Sequence, residues 1–150
     1  MKVFLGSDHN GYHLKSELAE YLQRAGYEVV DVGDAKPDPE DDFPVFAHKV
    51  VTELLTEGDE VARGILLCGS GQGMCMAANR FQRIRAALGY DRESVRSARN
   101  DDNANILCLP ANSLPEENLN VLAETFLNTP FADAPRFRRR LAQLDELPHA

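Results

Sequence analysis

A cysteine followed by a cluster of glycines is the feature of this sequence best suited to chemistry. Cys68 directly precedes Gly69-Ser70-Gly71-Gln72-Gly73, and a short helical segment (MCMAANRF) follows. Alternating glycines before a helix expose backbone N–H groups, which can cradle an anion or stabilise an oxyanion. The same N–H dipoles favour the thiolate form of an adjacent cysteine. A tight strand-to-helix crossover alone would need only one or two glycines.

This glycine loop, residues 69–73, matches neither common nucleotide-binding motif. It lacks the Gly-Lys-Ser/Thr that ends a Walker A loop, and Met74 stands where a dinucleotide-binding fingerprint places its third glycine. The other two cysteines, Cys75 and Cys108, are interpreted as small buried hydrophobic residues. The loop therefore predicts an oxyanion site beside a reactive thiol.

Two further groups of polar residues could bind a substrate. Asp8 and His9 follow the first apolar run and offer a carboxylate and an imidazole, although Asp8 could equally cap a helix. Near the end of the chain, Arg136 and Arg140 are four residues apart and share one face of a predicted helix. Two guanidinium groups on one face can clamp a phosphate, whereas arginines are often only part of a solvated face.

Short apolar runs that alternate with amphipathic segments must position these residues. The predicted strands are Lys2–Gly6, Glu28–Val32, Gly64–Cys68, Ile84–Leu88 and Asn105–Leu109; the last two predicted helices are Leu114–Asn128 and Pro135–Leu147. The alternation predicts one three-layer α/β domain, residues 1–150, with a parallel sheet. Ligands bind such sheets beyond the carboxyl ends of strands, which favours the turns after the first, third and fourth strands.

The composition limits the kinds of molecule that this protein can bind. The chain has 150 residues, three cysteines and a formal net charge of −8, so it is a poor match for nucleic acids or anionic membranes. No apolar run approaches the roughly 18 residues of a membrane span. The first ten residues do not resemble a signal peptide, so we expect a cytoplasmic protein with reduced thiols. Small anionic substrates stay possible, because local arginines can outweigh the overall charge.

The sequence resembles the ribose-5-phosphate isomerase B family, which also contains the galactose-6-phosphate isomerase subunits. The matching segments run in order along nearly the whole chain: GSDHNGYHLK from Gly6, CGSGQG from Cys68, AANR from Ala77, and the Arg136/Arg140 pair. The resemblance implies a Rossmann-like fold with a doubly wound parallel sheet, and an aldose–ketose isomerase that needs no metal or cofactor. It also implies a homodimer, or a dimer of dimers, with active sites at the subunit interface.

The resemblance also implies a role for each matching residue. Cys68 would be the base that moves a proton between C1 and C2 of the open-chain sugar. The enediolate oxygen would be stabilised by the glycine loop through Ser70 and the N–H groups of Gly69, Gly71 and Gly73. Asp8 would hold substrate hydroxyls, and the phosphate would be bound by His9, Arg136 and Arg140. Some relatives place a glutamate base after the loop; Met74 occupies that position here, which indicates a cysteine-type member.

Three positions depart from the family pattern. Asp101 stands where a histidine that assists ring opening is usual, Asp102 replaces an asparagine, and Asn112 replaces an arginine. Asp101 could take over ring opening if its carboxyl keeps a proton in a desolvated site. The substrate could instead be a sugar phosphate of different shape, or one that needs no ring opening. A third interpretation is a sugar-phosphate-binding protein without activity.

The favoured hypothesis is interconversion of ribose 5-phosphate and ribulose 5-phosphate, with Cys68, Ser70 and Asp101 in catalysis and Asp102 among the binding residues. Retention of the base beside its glycine loop favours an isomerase over a silent binding protein.

Overall fold

The computed structural model describes residues 1–146 and contains a five-stranded sheet. The strands are β1 (Lys2–Ser7), β2 (Glu28–Asp31), β3 (Arg63–Cys68), β4 (Ala86–Leu88) and β5 (Ile106–Pro110). All neighbouring strands are parallel, and their order is β2-β1-β3-β5-β4. The chain winds to one side after β1 and to the other after β3, so the order reverses between these two strands. This topology confirms the predicted doubly wound, parallel α/β fold.

Helices cover both faces of the sheet and make it the middle of three layers. They are α1 (Tyr12–Arg24), α2 (Phe43–Glu57), α3 (Gln72–Ala78), α4 (Arg92–Asn100), α5 (Glu116–Asn128) and α6 (Pro135–Asp145). One core cluster joins the sheet to α1, α4 and α5, and the other joins it to α2 and α3. Side chains alternate along β1, so Val3 and Leu5 enter the first cluster while Phe4 enters the second. Because both faces are buried, the central strands are continuous apolar runs.

The observed elements differ from the predicted ones mainly at their ends. The fourth strand begins at Ala86 instead of Ile84, because Arg83 has a positive φ of 65° and the N–H of Arg85 donates to the side chain of Asn105. Helix α5 begins at Glu116, since Pro115 occupies its N-cap. The predicted last residue of α6, Leu147, lies outside the described residues.

The strand order determines which turns lie next to each other at the carboxyl ends of the strands. β4 lies at the edge of the sheet, whereas β5 lies beside β3. The N–H of Ala111 donates to the carbonyl of Cys68 at 2.9 Å, and the N–H of Asn112 donates to that of Gly69 at 3.0 Å. The turn after β5, and not the predicted turn after β4, therefore lies against the glycine loop.

Candidate functional site

Cys68 and the glycine loop lie together at the carboxyl edge of the sheet. Cys68 is the last residue of β3 and is 5% exposed. The N–H of Gly71 donates to Cys68 Sγ at 3.1 Å. Gly71 has a φ of +75°, and a Cβ there would lie 2.6 Å from Leu88 Cδ1, so only glycine fits without strain. The loop thus holds one N–H donor against the thiol.

Asparagine side chains from two other turns reach the glycine loop. A Cβ on Gly69 would lie 2.8 Å from Asn112 Nδ2 and 3.6 Å from Asn10 Nδ2. Asn112, the residue that replaces the family's usual arginine, therefore presents an uncharged amide donor to the loop. Ser70 Oγ accepts the N–H of Gln72 at 3.3 Å, and Gly73 lies in the first turn of α3. The turns after β1, β3 and β5 converge on one place, as their strand positions require.

Asp8 both caps the turn after β1 and keeps one oxygen available. Its side chain accepts the N–H groups of Asn10 at 3.0 Å and Gly11 at 3.3 Å, and it begins a single 3₁₀ turn, His9–Gly11. Both hydrogen bonds use Oδ1, so Oδ2 can accept a substrate hydroxyl. Asp8 is 7% exposed, and its N–H donates to the carbonyl of Leu67, next to Cys68.

His9 is paired with a carboxylate that sequence reasoning missed. His9 Nδ1 lies 2.7 Å from Asp41 Oδ1, and the Asp41 side chain is 8% exposed. The hydrogen bond with Asp41 is the main cause that raises the pKa of His9, against the opposing effect of desolvation. Asp41 belongs to the acidic segment 34–42, which the sequence suggests is only a solvated loop. No local pattern in the sequence marks a pair of residues that are 32 positions apart.

Asp101 and Asp102 lie at the opposite, amino edge of the sheet. Asp101 is the C-cap of α4, and β5 begins shortly afterwards at Ile106. Cys68 is level with Pro110, at the far end of β5. The four steps from Ile106 to Pro110 span about 13 Å at 3.3 Å each. One chain therefore does not bring Asp101 or Asp102 to its own Cys68.

The two adjacent carboxyls have different surroundings. Asn100 Nδ2 donates to Asp101 Oδ1 at 2.7 Å. Partial burial raises the pKa of Asp102, the negative charge of Asp101 raises it further, and Arg140 opposes both effects. The raised pKa makes Asp102 a candidate acid beside Asp101, the acid that the sequence analysis favours.

Arg136 and Arg140 lie on α6, which packs little against its own chain. Phe137 is the buried residue of this helix, and the Arg136 guanidinium lies over its ring at 4.4 Å from the ring centre. Arg140 is exposed and lies near enough to Asp102 to affect its pKa. Arg138 instead pairs with Asp133 at 3.0 Å. The two proposed phosphate ligands thus accompany Asp101 and Asp102, and not His9.

Three further observations on the described residues concern the other two cysteines, metal binding and membrane spans. Cys75 Sγ donates to the carbonyl of Ala86 at 3.3 Å, and burial raises the pKa of the fully buried Cys108 thiol. Within residues 1–146, no group of three or more His, Cys, Asp or Glu side chains is arranged to hold a metal ion. Over the same residues, no helix has both the length and the apolar character needed to span a membrane.

Comparisons with known proteins identify the family of this chain. A model of the Ribose/Galactose Isomerase family matches residues 3–144. A protein named probable ribose-5-phosphate isomerase B from Mycoplasma pneumoniae is 36% identical over 143 residues, which cover 95% of this chain and 91% of that protein.

Two solved structures are also similar to this chain over almost its full length. The crystal structure of ribose-5-phosphate isomerase B from Mycoplasma genitalium with bound ribulose-5-phosphate has a TM-score of 0.91 and 35% identity, and covers 96% of this chain and 93% of that one. The Thermotoga maritima ribose 5-phosphate isomerase structure has a TM-score of 0.91 and 41% identity, and covers 97% of this chain and 98% of that one. The family match and these identities over almost the full length show that the chain belongs to the ribose/galactose isomerase family.

Proposed function

We propose that this protein interconverts ribose 5-phosphate and ribulose 5-phosphate through a cis-enediolate. The observation that carries the proposal is the buried Cys68 thiol, which accepts the Gly71 N–H at the point where three loops converge. A base next to fixed N–H donors is what proton transfer beside a carbonyl requires. The Mycoplasma genitalium relative with bound ribulose-5-phosphate supports the choice of sugar.

Each proton can be assigned a place in this reaction. The Cys68 thiolate takes the proton from C2 of the open-chain aldose, and the electron pair of that C–H bond forms the C1–C2 double bond of an enediolate. The negative charge that develops on O1 is stabilised by donors of the glycine loop, for which we propose Ser70 and the N–H groups of Gly69, Gly71 and Gly73. The O2 proton passes to O1, and the Cys68 thiol returns its proton to C1, which gives the ketose. Asp8 Oδ2 would hold a substrate hydroxyl.

The second half of the site is supplied by another copy of the chain. His9 lies at the carboxyl edge, whereas Arg136, Arg140, Asp101 and Asp102 lie at the amino edge. The exposed helix α6 offers its arginines to a neighbouring molecule, which supports a homodimer with sites shared between subunits. Phosphate held by His9 and these arginines would position C1 and C2 against Cys68. The unpaired thiols of all three cysteines support a cytoplasmic location.

A specific observation favours a second candidate, an isomerase for a differently shaped sugar phosphate. The two carboxyls at 101 and 102 bring negative charge to the place where the family resemblance implies a histidine and an amide. Ring opening of a furanose needs an acid, and the raised pKa of Asp102 suits this residue to donate a proton. If Asp102 does not act in this way, an open-chain substrate fits the site better.

An isomerase assay with matched cysteine variants tests the proposal. Purified protein is offered a panel of tetrose, pentose and hexose phosphates, and exchange of the C2 proton is followed in deuterated water. Cys68→Ala should lower exchange by about 10²–10⁴-fold, because the base is lost. Cys75→Ala is the control, since Cys75 is turned to the carbonyl of Ala86 and takes no part in the proposed reaction.

Two outcomes would contradict the proposal. Undiminished exchange in Cys68→Ala would remove this cysteine from the mechanism. Absence of turnover by the unsubstituted protein on every sugar phosphate would favour a binding protein without activity.

A further inference from the structure

A cavity lined by arginines lies at the amino edge of the sheet. It has a volume of about 830 Å³, and its walls include Arg63, Arg83, Arg85 and Arg99. Cavities of this size commonly hold small molecules in other proteins. Four guanidinium groups in one cavity are unexpected in a chain with a net charge of −8. Arg136 and Arg140, the proposed ligands of the substrate phosphate, are not part of its lining.

The two most buried arginines are held by uncharged acceptors. Arg63 is 9% exposed, and its Nη1 donates to the carbonyls of Glu60 and Ala62, each at 2.7 Å. Arg99 is 3% exposed and donates to the carbonyls of Thr129 and Ala104 and to the side-chain oxygen of Asn103. Carbonyl and amide oxygens satisfy N–H groups but carry no full negative charge. A buried cation in such surroundings needs a counter-ion to offset its desolvation.

Repulsion between the arginine side chains adds to their lack of a negatively charged partner. Desolvation lowers the pKa of Arg63 and the charge of Arg85 lowers it further, while the charge of Asp59 offsets only part of this effect. Desolvation, with the charges of Arg63 and Arg85, lowers the pKa of Arg99 to about 10. Even a pKa lowered to about 10 leaves Arg99 charged at neutral pH, so its positive charge adds to those of the neighbouring arginines.

Acidic neighbours do not neutralise the cluster within the described residues. Asp59, Glu60 and Asp145 also line the cavity, and all three are exposed. Asp59 Oδ1 accepts the N–H of its own loop at Val61. Asp145 Oδ1 lies 3.9 Å from Arg85 Nη1, which is a loose contact. Arg63 and Arg99 have no carboxylate partner among residues 1–146.

Donors that could bind an anion remain available. Both hydrogen bonds of Arg63 use Nη1, so its Nε and Nη2 are not engaged within the described residues. The bonds of Arg99 use Nε and Nη1, which leaves its Nη2. Arg83 is exposed and is held at a φ of 65°, an unfavourable conformation for an arginine. The planar fork of guanidinium groups matches phosphate oxygens.

We propose that Arg63, Arg83, Arg85 and Arg99 form a second anion site, which binds a small, multiply charged phosphate compound at the edge opposite Cys68. Such a ligand would supply the missing counter-charge and engage the free donors. Neither the site nor its ligand depends on the proposed isomerase activity.

Calorimetric titration with inorganic pyrophosphate tests this site. The background protein carries His9→Ala, Arg136→Ala and Arg140→Ala, so that the proposed substrate-phosphate ligands are absent. Pyrophosphate should still bind to this background. Adding Arg63→Gln and Arg83→Gln should weaken binding by about 10-fold or more, because two charge-assisted contacts are lost. The matched control adds Arg24→Gln and Arg96→Gln, two exposed arginines that pair with carboxylates on their own helices.

The binding of pyrophosphate to the cluster variant and to the control decides whether the site exists. Binding that survives in the control and is lost in the cluster variant supports the site. If the Arg63 substitution prevents folding, as judged by circular dichroism, Arg83→Gln alone serves, because Arg83 is exposed; it should weaken binding about 3-fold. Absence of pyrophosphate binding by the background, or equal binding by the cluster variant and the control, would overturn the proposal.

Discussion

The two edges of the sheet use charged residues in opposite ways. At the carboxyl edge, His9 pairs with the carboxylate of Asp41, and Asp8 caps its own turn through backbone N–H groups. At the amino edge, Arg63 and Arg99 are held by uncharged oxygens, and Asp101 lies next to Asp102. The exposed helix α6 adds further arginines there.

The difference indicates what each edge can do alone. The carboxyl edge is organised by hydrogen bonds within its own chain, which hold Asp8, His9 and Cys68 in place. The amino edge carries charges that its own chain does not balance. It is therefore suited to contacts from outside, both with another copy of the chain through α6 and with an anion in the arginine cavity.

The largest predicted effect tests whether the two edges of different chains form one site. Cys68→Ala and the double substitution Arg136→Ala/Arg140→Ala should each lower kcat/KM by about 10²-fold or more. Co-expression with two different tags allows purification of mixed dimers. A mixed dimer would then hold one intact site of two, so its kcat/KM should return to about half that of the unsubstituted protein.

A mixed dimer of Cys68→Ala with His9→Ala is the control for this experiment. Both residues lie at the carboxyl edge of the same chain, so every site keeps one defect and activity should stay low. Recovery in the control, or none in the first combination, would contradict a site shared between the two edges.

The next effect concerns the backbone of the carboxyl edge. Gly71→Ala introduces a Cβ at a φ of +75°, 2.6 Å from Leu88 Cδ1 and 3.2 Å from backbone atoms of β5. Strain and overpacking together should lower the free energy of unfolding by about 2–4 kcal/mol. Because the N–H donor to Cys68 moves, kcat should also fall by at least about 10-fold.

Gly58→Ala separates the two causes. Gly58 also has a positive φ, +66°, but a Cβ there meets nothing closer than 3.9 Å. Its substitution should cost only the backbone strain, about 1–2 kcal/mol, and leave kcat unchanged. Urea denaturation and initial rates measure both quantities, and equal losses in the two variants would show that packing at Gly71 is unimportant.

A smaller effect tests the ion pair at the carboxyl edge. Asp41 raises the pKa of His9 above its ordinary value of 6.5, so the imidazolium persists to higher pH and is lost as pH rises through the raised pKa. Asp41→Asn should return the pKa of His9 towards 6.5. The ratio of variant to unsubstituted kcat/KM should be near one well below pH 6.5, fall about 3- to 10-fold in the window above it, and recover once both proteins have lost the charge.

Asp34→Asn is the matched control, because Asp34 lies in the same acidic segment but pairs with Lys49 at 3.4 Å. A ratio for Asp41→Asn that does not depend on pH would show that Asp41 does not act through the charge of His9.

The contrast between the edges also explains how much the sequence could predict. The strands and the glycine loop were predictable because apolar runs and alternating glycines are local patterns. Cys68 and Gly71 are neighbours along the chain, so their juxtaposition followed directly. The family resemblance supplied the expectation that Arg136 and Arg140 act together with the remaining site.

The other contacts depend on which strands become neighbours. His9 meets Asp41 only because the segment after β2 folds back over the turn after β1. Arg63 begins β3, Arg85 directly precedes β4 and Arg99 lies in α4, before β5. The order β3-β5-β4 brings these strand beginnings together. No spacing along the sequence encodes this order, so neither the ion pair nor the arginine cavity could be predicted.

The smallest predicted effect tests strain at the amino edge. Arg83 has a φ of 65°, and relief of this strain by Arg83→Gly should contribute about 1–2 kcal/mol. The greater freedom of glycine in the unfolded chain offsets about 0.4–1 kcal/mol of that gain. The net expectation is a stabilisation of roughly 0.5–1 kcal/mol, measured by urea denaturation.

Arg83→Ala removes the same charge but keeps the strain. If both variants are stabilised equally, charge repulsion and not backbone conformation is the cost of Arg83. If only Arg83→Gly is stabilised, the chain keeps a strained arginine at this edge, as an anion site would require, whereas the carboxyl edge places a glycine at its own positive φ.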